Sequence, residues 1–265
     1  MLGRMEKVQS KEDLCKNIHE AIGEVIGDEG TIAVPTFSQQ IGFHGLNYVH
    51  EETPCQTGIF SEYIRNLPQS IRSFHPVFSI SALGKNRDSI CLQTGQSGFG
   101  YGSAMHKLFT HEAKAICMGF GYYTGYIVSA LHSIETLYGV PYYYNKILDL
   151  KSYKDGKLSE KTFVANLRYR DFGIEYSFNR IIDFMESNNR ISSQKIGGSM
   201  MYACSFVEMM KDGINLLNED IYAFLKNPPT WSKGTIPFDS VPDEISQEEV
   251  ANRNWIGIGI SSGDT

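Results

Sequence analysis

The stretch from residue 113 to residue 138 restricts the fold more than any other part of the chain. It begins with a short apolar run, Ala113-Lys-Ala-Ile-Cys-Met118, and continues into a turn with three glycines between 119 and 125. Apolar residues at helical spacing follow from about 126 to 138. A buried strand, a glycine-rich turn and a helix in this order are typical of α/β proteins. The sequence therefore predicts an α/β fold.

The N-terminal region adds a second strand to this expectation. Ser10 with Asp13 three residues later forms a capping-box pattern, and it predicts an amphipathic helix that ends before Gly27. The apolar, β-branched run at 31–34 predicts a buried strand. The carboxyl end of that strand would place Thr36 in a loop.

Several further elements follow from local patterns. A helix is expected from 58 to 67, and the pair Asp155-Gly156 indicates a β-hairpin turn. Helices are also expected around 178–185 and 200–217, and proline, acidic residues and glycine indicate an irregular tail from about 227. We expect residues 1–265 to form a single domain.

Charge and cysteine spacing exclude several classes of function. The chain has 24 Lys+Arg against 30 Asp+Glu, a net charge of −6, and it lacks the basic cluster that a nucleic-acid partner requires. Its five cysteines are scattered, which argues against a disulfide framework or a metal site. A polar N-terminus and the lack of a long apolar run predict no signal peptide and no membrane span, hence a cytoplasmic location.

His132 and Glu135 lie three residues apart in the helical pattern that follows the glycine turn. This spacing places both side chains on one helix face. The pair suits a general base, or a half-buried histidine satisfied by its neighbour, and a metal site would need a third ligand. The glycine turn also resembles a dinucleotide-binding fingerprint, although Tyr142–Asn145 stand where such a site places an acidic residue.

Two short segments are candidates for binding anions. The loop Arg72-Ser-Phe-His75-Pro-Val-Phe-Ser79 combines a guanidinium, hydroxyls and an imidazole, and it suits either phosphate binding or an ordinary polar loop. Gly102 and Ser103 lead into a short helix whose N-terminus could receive an anion. Neither a P-loop signature nor a Gly-x-Ser-x-Gly motif is present.

Taken in order, these motifs resemble the aminoglycoside 3-N-acetyltransferase family, the antibiotic N-acetyltransferases that are distinct from the GNAT fold. The resemblance lies in Val34-Pro-Thr36-Phe37, Arg72-Ser-x-His75-Pro-x-x-Ser79, Phe99-Gly-x-Gly102-Ser103, Leu131-His132-x-x-Glu135 and Pro141-Tyr142. The C-terminal hundred residues match only loosely.

The resemblance implies a three-layer α/β/α sandwich with a central mixed sheet. It also implies transfer of an acetyl group from acetyl-CoA to an amine of an aminoglycoside or amino sugar by direct attack, without a metal. The general base would be His132, aided by a carboxylate from later in the chain, for which Glu175 is preferred over Asp171. Thr36 would donate to the thioester oxyanion.

In the same resemblance, CoA phosphates and pantetheine would be held by two segments. These are the loop with Arg72, Ser73, His75 and Ser79, and the turn with Gly102 and Ser103. The chain departs from the family at its start, where Met1-Leu2-Gly3 stand just beyond an expected helix and strand. We therefore expect that helix and strand to be absent, and a missing strand makes a homodimer a further possibility.

Three alternatives stay open at the level of sequence. The chain could be a catalytically weak relative that binds only CoA or an amino sugar. It could be an amino-sugar acyltransferase of surface-polysaccharide biosynthesis instead of an antibiotic-resistance enzyme. The glycine turn alone would support an NAD-linked oxidoreductase.

Overall fold

The computed structural model describes residues 10–119, 127–169 and 172–231. The helices are α1 Lys11–Ile26, α2 Gln39–His44, α3 Ile59–Asn66, α4 Arg87–Cys91, α5 Ala104–Thr110, α6 Ile127–Tyr138, α7 Asn179–Ser187 and α8 Phe206–Glu219. The strands are β1 Thr31–Pro35, β2 Tyr48–Val49, β3 Ile71–Arg72, β4 Ile80–Gly84, β5 Lys114–Met118, β6 Tyr143–Ile147, β7 Ser152–Lys154, β8 Lys157–Leu158, β9 Val164–Arg168, β10 Ile191–Ile196 and β11 Ser199–Ser205.

These strands form four small sheets in the described part of the chain. Their orders are β1-β4-β3, β10-β11-β5, β2-β7-β8 and β6-β9. Strands β2 and β7 pair in parallel, and the other pairs are antiparallel. The α/β class is confirmed. The arrangement of layers around one central sheet, like the single-domain assignment, stays a prediction.

Local sequence signals account for several element boundaries. The Ser10 side chain accepts a hydrogen bond from the backbone N–H of Asp13, so the predicted capping box begins α1. Between β7 and β8, Asp155 and Gly156 adopt φ values of 51° and 69°. Both values lie in the left-handed region that a primed hairpin turn requires, so the predicted hairpin is confirmed.

The helix predicted for 200–217 is wrong in its first turn and a half. Residues up to Ser205 form β11, which pairs with β10 on one side and β5 on the other, and α8 begins at Phe206. The Ser205 side chain caps α8 by accepting from the N–H of Glu208. Cross-strand pairing outweighs the helical spacing of the apolar residues here.

The strands predicted at 31–34 and 113–118 both exist, as β1 and β5, but neither is as buried as expected. In β5 only Cys117 is buried, and Ile116 is 50% exposed. In β1 only Val34 is buried. Each strand lies at the edge of its three-stranded sheet among the described residues, which explains why one flank of each lacks cover.

The core surrounds α6, the helix that carries His132. The glycine at 213 in α8 leaves space for the side chains of Ile134 and Ile181, so that α6, α7 and α8 pack closely. The fully buried apolar side chains of these three helices are Ala130, Leu131, Ile134, Ile181, Ile182, Met185, Met209 and Leu217. This packing fixes the position of α6. None of the described helices is long and apolar enough to cross a membrane.

Candidate active site

His132 and Glu135 are in direct contact on α6. The Nδ1 atom of His132 lies 2.8 Å from Oε2 of Glu135. The imidazole side chain is 21% exposed, whereas the Glu135 side chain is fully buried. The pair therefore joins a buried carboxylate to an imidazole that reaches the protein surface.

Two tyrosine hydroxyls donate hydrogen bonds to the Glu135 carboxylate, one to each oxygen. The Tyr142 hydroxyl donates to Oε1 at 2.7 Å, and the Tyr143 hydroxyl donates to Oε2 at 2.6 Å. Burial, followed by the charge of Glu135, raises the pKa of both phenols above their ordinary value. Both phenols stay protonated at neutral pH, so each can act as a hydrogen-bond donor to the carboxylate.

The hydrogen bonds assign the proton positions of the pair. Glu135 Oε2 accepts from Tyr143, and it lies at hydrogen-bond distance from Nδ1 of His132. A carboxylate has only acceptor sites, so we assign the imidazole proton to Nδ1. The lone pair of the neutral ring is then on Nε2, for which the described residues provide no hydrogen-bond partner.

Aromatic rings surround the imidazole. Ring centroids lie at 4.9 Å for Tyr176, 5.7 Å for Phe178 and 5.9 Å for Phe99. The Tyr176 hydroxyl also lies 2.6 Å from that of Tyr143. These rings limit the access of water, and low polarity strengthens the hydrogen bond between imidazole and carboxylate.

Hydrogen bonds fix the loop that carries Phe99 to β9 and to α6. Asn166 Oδ1, in β9, accepts from the Ser97 hydroxyl at 2.7 Å and from the Phe99 N–H at 3.1 Å. The Ser133 hydroxyl, in α6, donates to the Phe99 carbonyl at 2.6 Å. The loop is therefore fixed to the helix next to His132.

The carboxylate next to His132 is not one of those selected from the sequence. Glu175 is exposed and forms an ion pair with Lys226 at 3.2 Å. Asp171 lies outside the described residues. The spacing of His132 and Glu135 had already indicated a shared helix face, and the structure brings these two side chains together.

Arg72 lies in a different polar cluster, where all of its donors are used within the protein. Its Nε donates to Ser79 Oγ at 2.9 Å. Its Nη1 donates to the carbonyls of His50 and Thr53, and its Nη2 donates to the carbonyl of Thr36 and the hydroxyl of Ser38. A guanidinium has five N–H groups, so none is left for a CoA phosphate. In this structure Arg72 has a structural role, and its expected contact with a CoA phosphate stays a prediction.

Thr36 and Ser79 belong to the same cluster, and both are fully buried. The Ser79 hydroxyl donates to the Thr36 carbonyl at 2.6 Å, so the Thr36 hydroxyl is the donor in their 3.0 Å side-chain contact. Ser81 donates in turn to the Thr36 hydroxyl at 3.3 Å. The single proton of Thr36 is thus used within the cluster, and its expected donation to a thioester oxyanion stays a prediction.

Ser73 and His75 stabilise the turn between β3 and β4. Ser73 Oγ accepts from the N–H of Ile80 at 2.8 Å. His75 Nδ1 accepts from the N–H groups of Val77 and Phe78, and its Nε2 lies 3.3 Å from the Val164 carbonyl. Burial lowers the pKa of His75 to about 4. Both side chains are buried and bound to backbone groups, and their expected contact with CoA stays a prediction.

Gly102 and Ser103 form the turn that begins α5, as predicted. Gly102 has a φ of 75°, which favours glycine, and the Ser103 side chain caps the helix by accepting from the N–H of His106 at 3.1 Å. Ser103 is buried, and its hydroxyl is used in the cap. The role of this turn in CoA binding stays a prediction.

His75 gives a testable pH dependence. The pKa of histidine is about 6.5 in an unfolded chain and about 4 at this site, so protons bind preferentially to the unfolded state between these values. The contribution of His75 to the free energy of unfolding should therefore be constant above pH 6.5 and should fall as the pH drops from 6.5 towards 4. His75→Asn keeps an acceptor near the position of Nδ1 and removes the titrating group. Urea unfolding at pH 7, 6 and 5 should show a shallower decline in the variant, by up to about 1.4 kcal/mol per pH unit. Parallel pH profiles would contradict this assignment.

Arg72 gives a second test. Arg72→Lys retains the charge but cannot supply five donors, so buried carbonyls lose their partners and the free energy of unfolding should fall by about 3 kcal/mol or more. Arg87→Lys, at a partly exposed arginine, should change it by less than about 0.5 kcal/mol. A wild-type stability in Arg72→Lys, together with a raised KM for acetyl-CoA, would instead support a phosphate contact.

The chain is similar to known proteins along most of its length. A family model described as aminoglycoside 3-N-acetyltransferase matches residues 2–218. No protein with a curated description matches the sequence.

Solved structures share the fold at low sequence identity. AAC-IIIb in a binary complex with CoASH has 17% identity and a TM-score of 0.68, with 86% of this chain and 90% of that chain covered. Sisomicin-bound AAC-VIa has 17% identity and a TM-score of 0.68, with 83% and 89% covered. The YokD protein from Bacillus subtilis has 20% identity and a TM-score of 0.65, with 83% and 89% covered. The family match includes α6 and the polar cluster around Arg72, and the chain belongs to the aminoglycoside 3-N-acetyltransferase family.

Proposed function

We propose that the protein transfers an acetyl group from acetyl-CoA to an amine of a small-molecule acceptor, with Nε2 of His132 as the general base. The observation that carries this proposal is the contact between His132 Nδ1 and the buried Glu135 carboxylate. That contact directs the ring lone pair away from the helix. Membership of an acetyltransferase family supports the type of reaction.

The amine acceptor reacts in its neutral form, after its ammonium proton has been lost to solvent. A base is still required because the nitrogen becomes positively charged as it bonds to the thioester carbon. In the proposed reaction, Nε2 takes one proton from this nitrogen as the bond forms. The C–S bond then breaks, and the departing thiolate receives the proton from the imidazolium. The products are an amide and CoA, and the imidazole returns to its neutral form.

Glu135 is the proposed partner of the base, in place of Glu175 or Asp171. As the ring becomes an imidazolium, the hydrogen bond from Nδ1 to the carboxylate becomes charge-assisted and strengthens. Glu135 is positioned for this by the hydroxyls of Tyr142 and Tyr143. An exposed carboxylate such as Glu175, paired with Lys226, has no comparable contact with the ring.

Acetyl-CoA is the proposed acyl donor, as a substrate. A structurally similar protein, AAC-IIIb, has been solved with CoASH. The loop that would bind CoA is stabilised by its own buried side chains, which are Arg72, Ser73, His75 and Ser79. Contacts with CoA would then come from the exposed backbone and from the turn at Gly102, which keeps its predicted place at the start of α5.

The acceptor is proposed to be an aminoglycoside or another amino sugar. A structurally similar protein, AAC-VIa, has been solved with sisomicin bound. An amino sugar offers both the nucleophilic amine and hydroxyls that the tyrosine hydroxyls near His132 can bind. An acidic chain also favours a cationic acceptor.

Three variants test this function. His132→Ala should lower kcat/KM by a factor of order 10² or more, because it removes the base. Glu135→Gln should lower it by at least about tenfold, because it weakens the support of the imidazolium. Glu175→Gln should stay close to wild type. Thiol release from acetyl-CoA over a panel of aminoglycosides and amino sugars measures all three.

Calorimetric binding of acetyl-CoA is the control. His132→Ala should bind acetyl-CoA as the wild type does, since the base acts on the acceptor amine. Undiminished turnover in His132→Ala would refute the assignment of the base. Binding without turnover in the wild type across the whole panel would favour the binding-only alternative.

One observation favours a second class of acceptor, an amino sugar that carries an anionic group. Arg168 lies opposite Tyr143 in the β6–β9 pair, so both side chains project from the same face. Its guanidinium lies 4.8 Å from the centroid of the Tyr176 ring, and that ring contacts His132. Among the described residues, Arg168 donates to the Ile174 carbonyl and has no carboxylate partner. A phosphate or carboxylate on the acceptor would provide one.

Arg168→Gln separates the two acceptor classes. If the acceptor carries an anion, the variant should lower kcat/KM at least about tenfold for an amino-sugar nucleotide and leave a neutral amino sugar unaffected. Equal effects on both acceptors, or activity confined to polycationic aminoglycosides, would rule out the anionic class.

A further inference from the structure

Three polar atoms meet at the centre of the site. Tyr143 Oη lies 2.6 Å from Glu135 Oε2 and 2.7 Å from His132 Nδ1, and these last two atoms are 2.8 Å apart. Each atom of this triangle therefore contacts the other two. Tyr142, in contrast, contacts only Oε1 of Glu135 and does not contact the imidazole.

The number of protons in the triangle determines the tautomer. A phenol carries one proton and can donate it either to the carboxylate or to the imidazole. If Nδ1 carried no proton, the lone pair of Nδ1 and the Glu135 carboxylate would compete for the phenol proton of Tyr143. Two acceptors, Nδ1 and Oε2, would then lie only 2.8 Å apart. With a proton on Nδ1, both contacts of the carboxylate oxygen are satisfied. The neighbouring phenol oxygen also provides an acceptor surface beside Nδ1.

Tyr143 also influences where the proton lies after the base has reacted. A hydrogen bond donated to a carboxylate stabilises its ionised form. The donation from Tyr143 to Oε2 therefore opposes transfer of the Nδ1 proton to Glu135 when the ring becomes an imidazolium. The ring then keeps its orientation and can return the Nε2 proton to the departing thiolate.

Tyr176 extends the chain of hydrogen bonds outwards. Its hydroxyl lies 2.6 Å from that of Tyr143. Because the proton of Tyr143 is directed to Glu135, Tyr176 is the donor in this contact. The ring of Tyr176 also lies against the imidazole, with centroids 4.9 Å apart. Tyr176 thus contacts both the phenol and the ring that Tyr143 positions.

We propose that Tyr143 is a positioning residue that fixes the orientation of His132 against Glu135, and that the Tyr176 hydroxyl acts through it. This inference rests on the proposed function of His132 as the base. It assigns Tyr143 a role that Tyr142 does not share, although both hydroxyls bind the same carboxylate.

Matched tyrosine variants test the proposal. Tyr143→Phe should lower kcat by about 10- to 100-fold with an unchanged KM for acetyl-CoA, because a misplaced base affects the chemical step. Tyr142→Phe removes one donor from the same carboxylate and should cost less than about tenfold. Tyr138→Phe, which loses a hydroxyl at the far end of α6, should retain the wild-type kcat. Equal losses in Tyr142→Phe and Tyr143→Phe would overturn the proposal.

A double-mutant cycle tests the link to Tyr176. Tyr176→Phe keeps the ring and removes the hydroxyl, so it should lower kcat by less than Tyr143→Phe. In the Tyr143→Phe background it should have no further effect, because the atom it acts through is gone. Additive losses would show that Tyr176 acts independently and would overturn that part of the proposal.

Nitrogen-15 NMR of the His132 ring gives a readout that does not depend on turnover. The wild type should show the Nδ1–H tautomer. Tyr143→Phe should keep this tautomer, because Glu135 still accepts from Nδ1, but its Nδ1 signal should shift, because the ring has lost its contact with the phenol oxygen. His132→Ala is used to assign the signals. If Tyr143→Phe does not fold, Tyr176→Phe provides the same comparison with a smaller shift. An unchanged Nδ1 signal with unchanged kcat overturns this proposal alone. Undiminished turnover in His132→Ala instead overturns the proposed function on which it rests.

Discussion

The buried carboxylate of Glu135 is the constraint on which the site depends. A charge without solvent is stable only where donors surround it, and here Tyr142, Tyr143 and His132 supply them. Tyr142 and Tyr143 lie just before and at the start of β6, and His132 lies on α6, so the helix and this segment must be held in a fixed relation. The packing of α6 against α8, with Gly213 allowing the close approach, fixes the helix that carries His132 and Glu135. The positions of these two side chains are therefore set by the core.

A second buried charge, Arg72, is stabilised by different means. Its five N–H groups bind backbone carbonyls and serine hydroxyls, and its guanidinium lies 5.3 Å from the centroid of the Tyr48 ring. The partners come from separate segments of the chain, so this one side chain fixes the loop after β1 against β4. Losing it would leave several buried acceptors unpaired at once. This structural demand accounts for the guanidinium and the hydroxyls of the motif around Arg72.

The sequence predicted the α/β class and the shared helix face of His132 and Glu135, but it did not predict how each polar side chain is used. The spacing of His132 and Glu135 was enough to place both on one helix face, because helical periodicity is a local property. The sequence assigned Thr36 to an oxyanion and the loop from Arg72 to Ser79 to CoA, and the structure joins Thr36, Arg72 and Ser79 in one buried cluster. Whether their protons face a ligand or a carbonyl depends on segments far away in the chain, such as Thr53 and Val164. That information is not present in a motif, and neither is the exposure that separates Glu175 from Glu135.

The tyrosines next to Glu135 show how a site can tune a reaction without new charged groups. A phenol that donates to a carboxylate stabilises the ionised form, and a phenol that also touches the imidazole restricts the ring. Tyr143 does both from the first position of β6, where it lies opposite Arg168. Successive residues within the strand point to opposite faces. Arg168 shares the face of Tyr143, whereas Tyr144 lies on the other face and stacks on Tyr169. One face of the β6–β9 pair therefore carries Tyr143 and Arg168 next to His132, and the other face carries Tyr144, which packs on Tyr169. Substitutions on the first face are expected to change acceptor specificity, and those on the second face are expected to change stability.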